Sequence, residues 1–136
     1  MDVAVVGDAE PVAFVDRPEF AALGDGTLDE RIARGAALTA DTHERSAGVW
    51  QAVVEAAGSD EEVDGWRLEL EQNRRVDVGR SIAVVLGREP EDEVVTLLWL
   101  LYGPETYLKL VVDFALPRAE YEALLVEASH RLVGMR

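Results

Sequence analysis

The hydrophobic positions recur at helical spacing over most of the chain. Leu28, Ile32, Ala36 and Thr39 or Ala40 lie along one face, and Val49, Trp50, Val53, Val54 and Ala57 repeat the pattern. Between them, Ser46-Ala47-Gly48 predicts a bend, because glycine weakens a helix. Thr27 opens the first run with Glu30 three residues on, the arrangement of a capping box. Gly58 ends the second run. Ser59 with Glu62 predicts a second capping box and the start of the longest helix. Its faces are Val63, Trp66, Leu70, Asn73 and Asp77, then Ile82, Val85 and Leu86, and Gly87 is its stop. Within it, Glu71 and Arg75 have the spacing of an i,i+4 ion pair.

The last third is the most apolar. Pro90 with Glu91, Asp92 and Glu93 starts a helix that runs to Tyr102 and is apolar nearly all round, so it should be buried on several sides. Gly103-Pro104 breaks it. The next segment is ambiguous. Leu108, Leu110, Val112 and Phe114 alternate as a strand does, whereas Lys109 and Asp113 are spaced for a helix. Pro104 at a first-turn position and Glu105 beside it favour helix. Pro117 starts a final helix with one stripe: Tyr121, Leu124, Leu125, Ala128 and Leu132. Residues 1–26 read as an irregular entry segment, punctuated by Gly7, Pro11, Pro18, Gly24 and Gly26, with one short helix at Pro18 for which Asp16 is the cap. The expectation is a single all-α domain over 1–136.

Composition narrows the function. A formal net charge of −14 over 136 residues repels phosphate backbones and anionic membranes. Direct nucleic-acid binding by this chain is therefore not expected. The absence of cysteine removes disulfides, thiolate metal sites and cysteine nucleophiles, and suits a cytoplasmic protein. The longest apolar run, Leu97 to Tyr102, is far short of a membrane span. His43 and His130 lack partners at metal or triad spacing and read as surface or helix-end residues. Glu91-Asp92-Glu93 and Asp60-Glu61-Glu62 read as helix starts. No catalytic set, metal site or cofactor motif emerges, so an enzyme is not expected.

Several short pieces, in order, resemble the C-terminal half of tetracycline-repressor (TetR) family transcription regulators. They are Val15-Asp16-Arg17-Pro18, then Asp60 with Glu71-Gln72-Asn73-Arg74. Leu97-Leu98-Trp99 with Gly103-Pro104-Glu105 and Tyr107 follows, and Pro117 to Leu124 with Tyr121 completes the set. The resemblance covers roughly residues 14 to 133, and the family's N-terminal helix-turn-helix has no counterpart. It implies an antiparallel bundle of about six helices that senses a small molecule and forms a homodimer. The expected ligand is an unidentified, largely apolar molecule held by Trp66, Leu70, Asn73, Trp99, Tyr102 and Tyr107, with the cavity under the Gly103-Pro104 break and Asn73 as its polar anchor. The expected dimer interface comprises Leu97, Leu101, Tyr121, Leu124, Leu125, Ala128 and Leu132. Arg74 is expected either to help bind the ligand or to tie two helices through a carboxylate. Two other readings stay open. One is a free-standing acidic dimer acting through a protein partner. The other is a small α/β enzyme with VAVVG and KLVVDF as strands.

Overall fold

A computed structural model describes residues 18–134. The elements are α1 (Pro18–Ala22), α2 (Leu28–Ala57), α3 (Glu61–Leu86), α4 (Asp92–Leu101), α5 (Pro104–Tyr107) and α6 (Arg118–Gly134), with a π-helical turn, Leu108–Asp113, continuing α5. No strand forms among the described residues. The KLVVDF segment is helical up to Asp113, and VAVVG and the Asp16 cap lie outside the described residues. Four helices have ten residues or more; α1 and α5 are about one turn each. No described helix is long and apolar enough to cross a membrane.

Local chemistry sets most of the boundaries. Thr27 and Glu30 form the reciprocal capping box: the Thr27 N–H donates to Glu30 Oε1 at 2.8 Å, and the Glu30 N–H donates to Thr27 Oγ1 at 3.2 Å. Asp60, not Ser59, caps α3. Its Oδ1 accepts from the N–H groups of Glu62 and Val63 at 3.0 and 3.3 Å, so no second capping box forms. A carboxylate one residue nearer the helix outcompetes the serine hydroxyl, because charged acceptors hold backbone N–H groups more strongly. Gly87 stops α3 with φ +72, a left-handed conformation that glycine adopts without strain.

The predicted bend at Ser46–Gly48 does not occur, and α2, at 30 residues, is the longest helix. Ser46 Oγ donates back to the Thr42 carbonyl at 2.7 Å, within the helix. Ala47 and Trp50 are buried on either side of Gly48. Burial of that face outweighs the roughly 1 kcal/mol that glycine costs a helix.

A three-residue link, Gly58–Asp60, sets α2 and α3 antiparallel. α2 is the centre of the fold and packs against α3, α5 and α6; α4 packs against α3 and α6. Two apolar clusters result. Ala36, Ala40 and Ala47 of α2 meet Tyr107, Tyr121 and Leu125. Ile82 of α3 meets Val94, Val95 and Leu98 of α4. Leu101 and Tyr102 pack against both clusters, so the C-terminal end of α4 joins the two halves of the core.

Candidate functional site

The end of α4 brings together two of the buried polar residues, His43 and Ser129. Tyr102 ends the helix, and its carbonyl accepts from His43 Nε2 of α2 at 2.7 Å. Its hydroxyl lies 2.5 Å from Ser129 Oγ and donates to the Leu125 carbonyl at 3.4 Å, both on α6. One residue thus ties α4 to α2 and α6 together. Pro104 restarts the helix and points Tyr107 back into the core. There its ring packs edge-on against Tyr121, centroids 5.3 Å apart, and tilts against His43 at 5.6 Å. Edge-to-face pairs of this kind add about 0.5–1.5 kcal/mol beyond the area they bury.

His43 is therefore not a surface residue. It is buried, and desolvation lowers its pKa from 6.5 to about 4, partly offset by the hydrogen bond to Tyr102. The ring is neutral at pH 7, with the Nε2 proton donated to the carbonyl. Burial likewise raises the pKa values of Tyr102, Tyr107 and Tyr121, so all three hydroxyls stay protonated.

Two arginines frame this cluster. Arg118, at the start of α6, bonds Asp41 (2.6 Å), Glu44 (2.8 Å), Glu122 (2.7 Å) and the Ala37 carbonyl (3.3 Å), clamping α6 onto α2. Arg74 of α3 makes a two-pronged bond to Glu71, at 2.9 and 3.0 Å, and lies 5.5 Å from the centroid of the Trp99 ring. The expected Glu71–Arg75 pair is not made. Arg75 instead bonds Thr96 (2.6 Å) and Asp92 (3.4 Å) on α4. A Cβ at Gly103 would sit 3.0 Å from Arg74 Nη2 and 3.3 Å from the Leu100 carbonyl, so a larger residue there would push on Arg74.

The residues expected to bind a ligand are not all together. Tyr102 and Tyr107 share the cluster. Trp99 lies against Arg74 and Arg75, with its Nε1 enclosed and unpartnered among the described residues. Leu70 is half-buried on α3. Trp66 is 49% exposed, and Asn73 faces solvent, which removes it as an anchor within the core. Trp66 also lies eight residues before Arg74, about 12 Å along the helix. A separate open groove of about 510 Å³ lies between α1, α3 and the start of α4, with Phe20, Val76, Ala83, Pro90 and Val95 among its walls. It contains none of the expected ligand residues.

The expected interface residues also divide. Leu97 and Leu124 are 42% and 41% exposed. Leu101, Ala128 and Leu132 are half-buried. Tyr121 and Leu125 are wholly buried inside the single chain, where α2 and Tyr107 cover them, so neither is free to face a second copy. Leu100, which the α6 stripe gives no reason to choose, is the most exposed leucine of α4 at 55%.

Sequence reasoning missed His43 and Ser129. Both had a signal. His43 continues the Ala36, Ala40, Ala47, Trp50 stripe, and Ser129 lies four residues after Leu125 on the buried face of α6. Comparison of the chain with protein-family models, with curated proteins and with solved structures finds no match.

Proposed function

We propose that this chain is the ligand-sensing and dimerisation part of a TetR-like transcription regulator, and that it works allosterically rather than catalytically. The observation that carries this reading is the outward face of the α4–α6 pair. Leu97, Leu100 and Leu124 stay in solvent on two helices that already pack together. A pair of adjoining helices with apolar outer positions suits a two-fold, four-helix contact with a second copy. Tyr102 links α4 to α2 and α6, so a molecule inserted at the Gly103-Pro104 break would alter how the pair is presented. A ligand that prefers one arrangement shifts the dimer between geometries by its difference in affinity for the two, typically about 1–3 kcal/mol. With a net charge of −14 the chain is the sensor and not the DNA contact.

Sedimentation equilibrium of the wild type and Leu100→Glu tests this. Leu100 is a better probe than Leu125, because a charge at a wholly buried site unfolds the chain whatever its assembly. The wild type should be dimeric at tens of micromolar, as expected for a Kd of about 1 μM. Leu100→Glu should be a monomer with unchanged helicity. A wild type that stays monomeric over that range removes the dimer and with it this reading.

The alternative of a free-standing acidic helical dimer that acts through a protein partner has its own observation. Trp66, Leu68 and Val76 of α3 are each about half exposed, at 49%, 49% and 53%.

A further inference from the structure

Tyr121 is wholly buried, yet its hydroxyl has no hydrogen-bond partner among the described residues. Its neighbours differ in this respect. The Tyr102 hydroxyl is held by Ser129, and His43 Nε2 by the Tyr102 carbonyl. An unmet buried hydroxyl costs about 1–3 kcal/mol, and phenylalanine would fill the same space without that cost. The nearby charges are spoken for. Asp41, Glu44 and Glu122 surround Arg118, and Glu71 holds Arg74. What the interior offers is a neutral donor among aromatic rings and the alanine face of α2, Ala36, Ala40 and Ala47.

Resting on the sensor reading above, we propose that the Tyr121 hydroxyl is the polar anchor of the sensed molecule: a neutral, mostly apolar, ring-containing compound with one hydrogen-bond acceptor oxygen, which takes the place of the Tyr107 ring. Tyr107 is the element free to yield. It sits on the four-residue α5, followed by the π-helical turn, where Lys109, Val112 and Asp113 are exposed. Its ring rests edge-on against Tyr121 and tilted against His43, carried on a single helical turn, whereas Tyr121 is fixed on the 17-residue α6. Among the described residues Arg74 and Arg118 are already paired, so an anionic ligand finds no free cation here, and Asp41, Glu44 and Glu122 bond Arg118 from partly exposed positions rather than from the interior.

Two probes of the same carbon framework test the assignment: 2-acetylnaphthalene, which carries a ketone, and 2-ethylnaphthalene, which does not. Their dissociation constants are measured by tryptophan fluorescence and thermal shift on the wild type and on Tyr121→Phe. The wild type should bind the ketone at least tenfold more tightly than the hydrocarbon. Tyr121→Phe should bind the two equally and, without probe, melt no lower than the wild type. A variant that keeps the preference, or that melts well below the wild type, overturns the anchor. Equal binding of both probes by the wild type also overturns it but leaves the sensor reading standing. If neither probe raises the wild-type melting temperature, the anchor and the sensing of apolar molecules at this site fall together.

Discussion

The two long helices, α2 and α3, are similar in length and both begin on side-chain caps, but they hold the fold to very different degrees. α2 buries eight of its 30 residues, from Ile32 to Val53; α3 buries one of 26, Ile82. The difference comes from neighbours. α2 is packed against α3, α5 and α6, so a stripe of Ala36, Ala40, His43, Ala47 and Trp50 can disappear along its length. α3 has α2 and α4 as its main neighbours, and its Trp66, Leu68 and Val76 are left in solvent. Caps and length establish that a helix exists. Only the partners on its faces decide how much of the fold rests on it.

The largest expected effect tests that asymmetry directly. Ile32→Ala in α2 should cost about 3 kcal/mol, the usual scale for truncating a buried aliphatic side chain. Val76→Ala in α3 should cost no more than about 0.5 kcal/mol, as for other exposed sites. Urea denaturation measures both. If Val76→Ala proves as costly as Ile32→Ala, the outer face of α3 is covered in solution, and the contrast between the helices belongs to the isolated chain alone.

A similar effect is expected from His43, a buried titrating group in the middle of α2. Its folded pKa, about 4, lies below the 6.5 of an ordinary histidine. Between those values the unfolded chain binds a proton that the folded chain does not. Stability is therefore retained above about pH 6.5 and lost as pH falls toward 4, by up to about 3 kcal/mol. Carboxylates add slopes of their own, so the measurement is the difference between wild type and His43→Gln. The glutamine amide can still donate to the Tyr102 carbonyl, and that part of the slope should vanish. An unchanged slope would mean that His43 is reached by water.

The caps give the smallest effects and the finest test. Thr27→Ala and Asp60→Ala each remove side-chain acceptors for helix N–H groups, worth about 1 kcal/mol. In α2 the loss should lower global stability, since the core unfolds with that helix. In α3 it should appear chiefly as faster amide exchange in the first turns, because little else holds them. Identical exchange patterns in the two variants would show that the helices unfold as one unit.

Much of this was legible in the chain, and for identifiable reasons. The Thr27 box, the Gly87 stop, the Pro104 restart and the final helix are local events, fixed by residues within a few positions of one another. The absence of a bend at Ser46–Gly48 was not legible, because what keeps α2 straight is distant in sequence: α6 and α5 pack on that face. The partners of Arg75 are hidden for the same reason, since Thr96 and Asp92 are on another helix. At the candidate site, Tyr102 and Tyr107 were visible beside the Gly-Pro break. His43, 59 residues from Tyr102, could be joined to them only by the fold.

The π-helical turn after Tyr107 has a consequence for how the chain can change length. The Phe114 N–H reaches back five residues to the Lys109 carbonyl at 3.1 Å, and the Leu116 N–H reaches back six to Leu110 at 2.9 Å. Such wide turns hold a residue more than an α-helix needs. Losing one position between 108 and 113 lets the turn close as ordinary helix. The same loss inside α2 rotates every later side chain of that helix by about 100° and scatters its buried stripe. Descendants of this sequence can shorten at the turn and keep their core, whereas α2 admits substitution but not deletion.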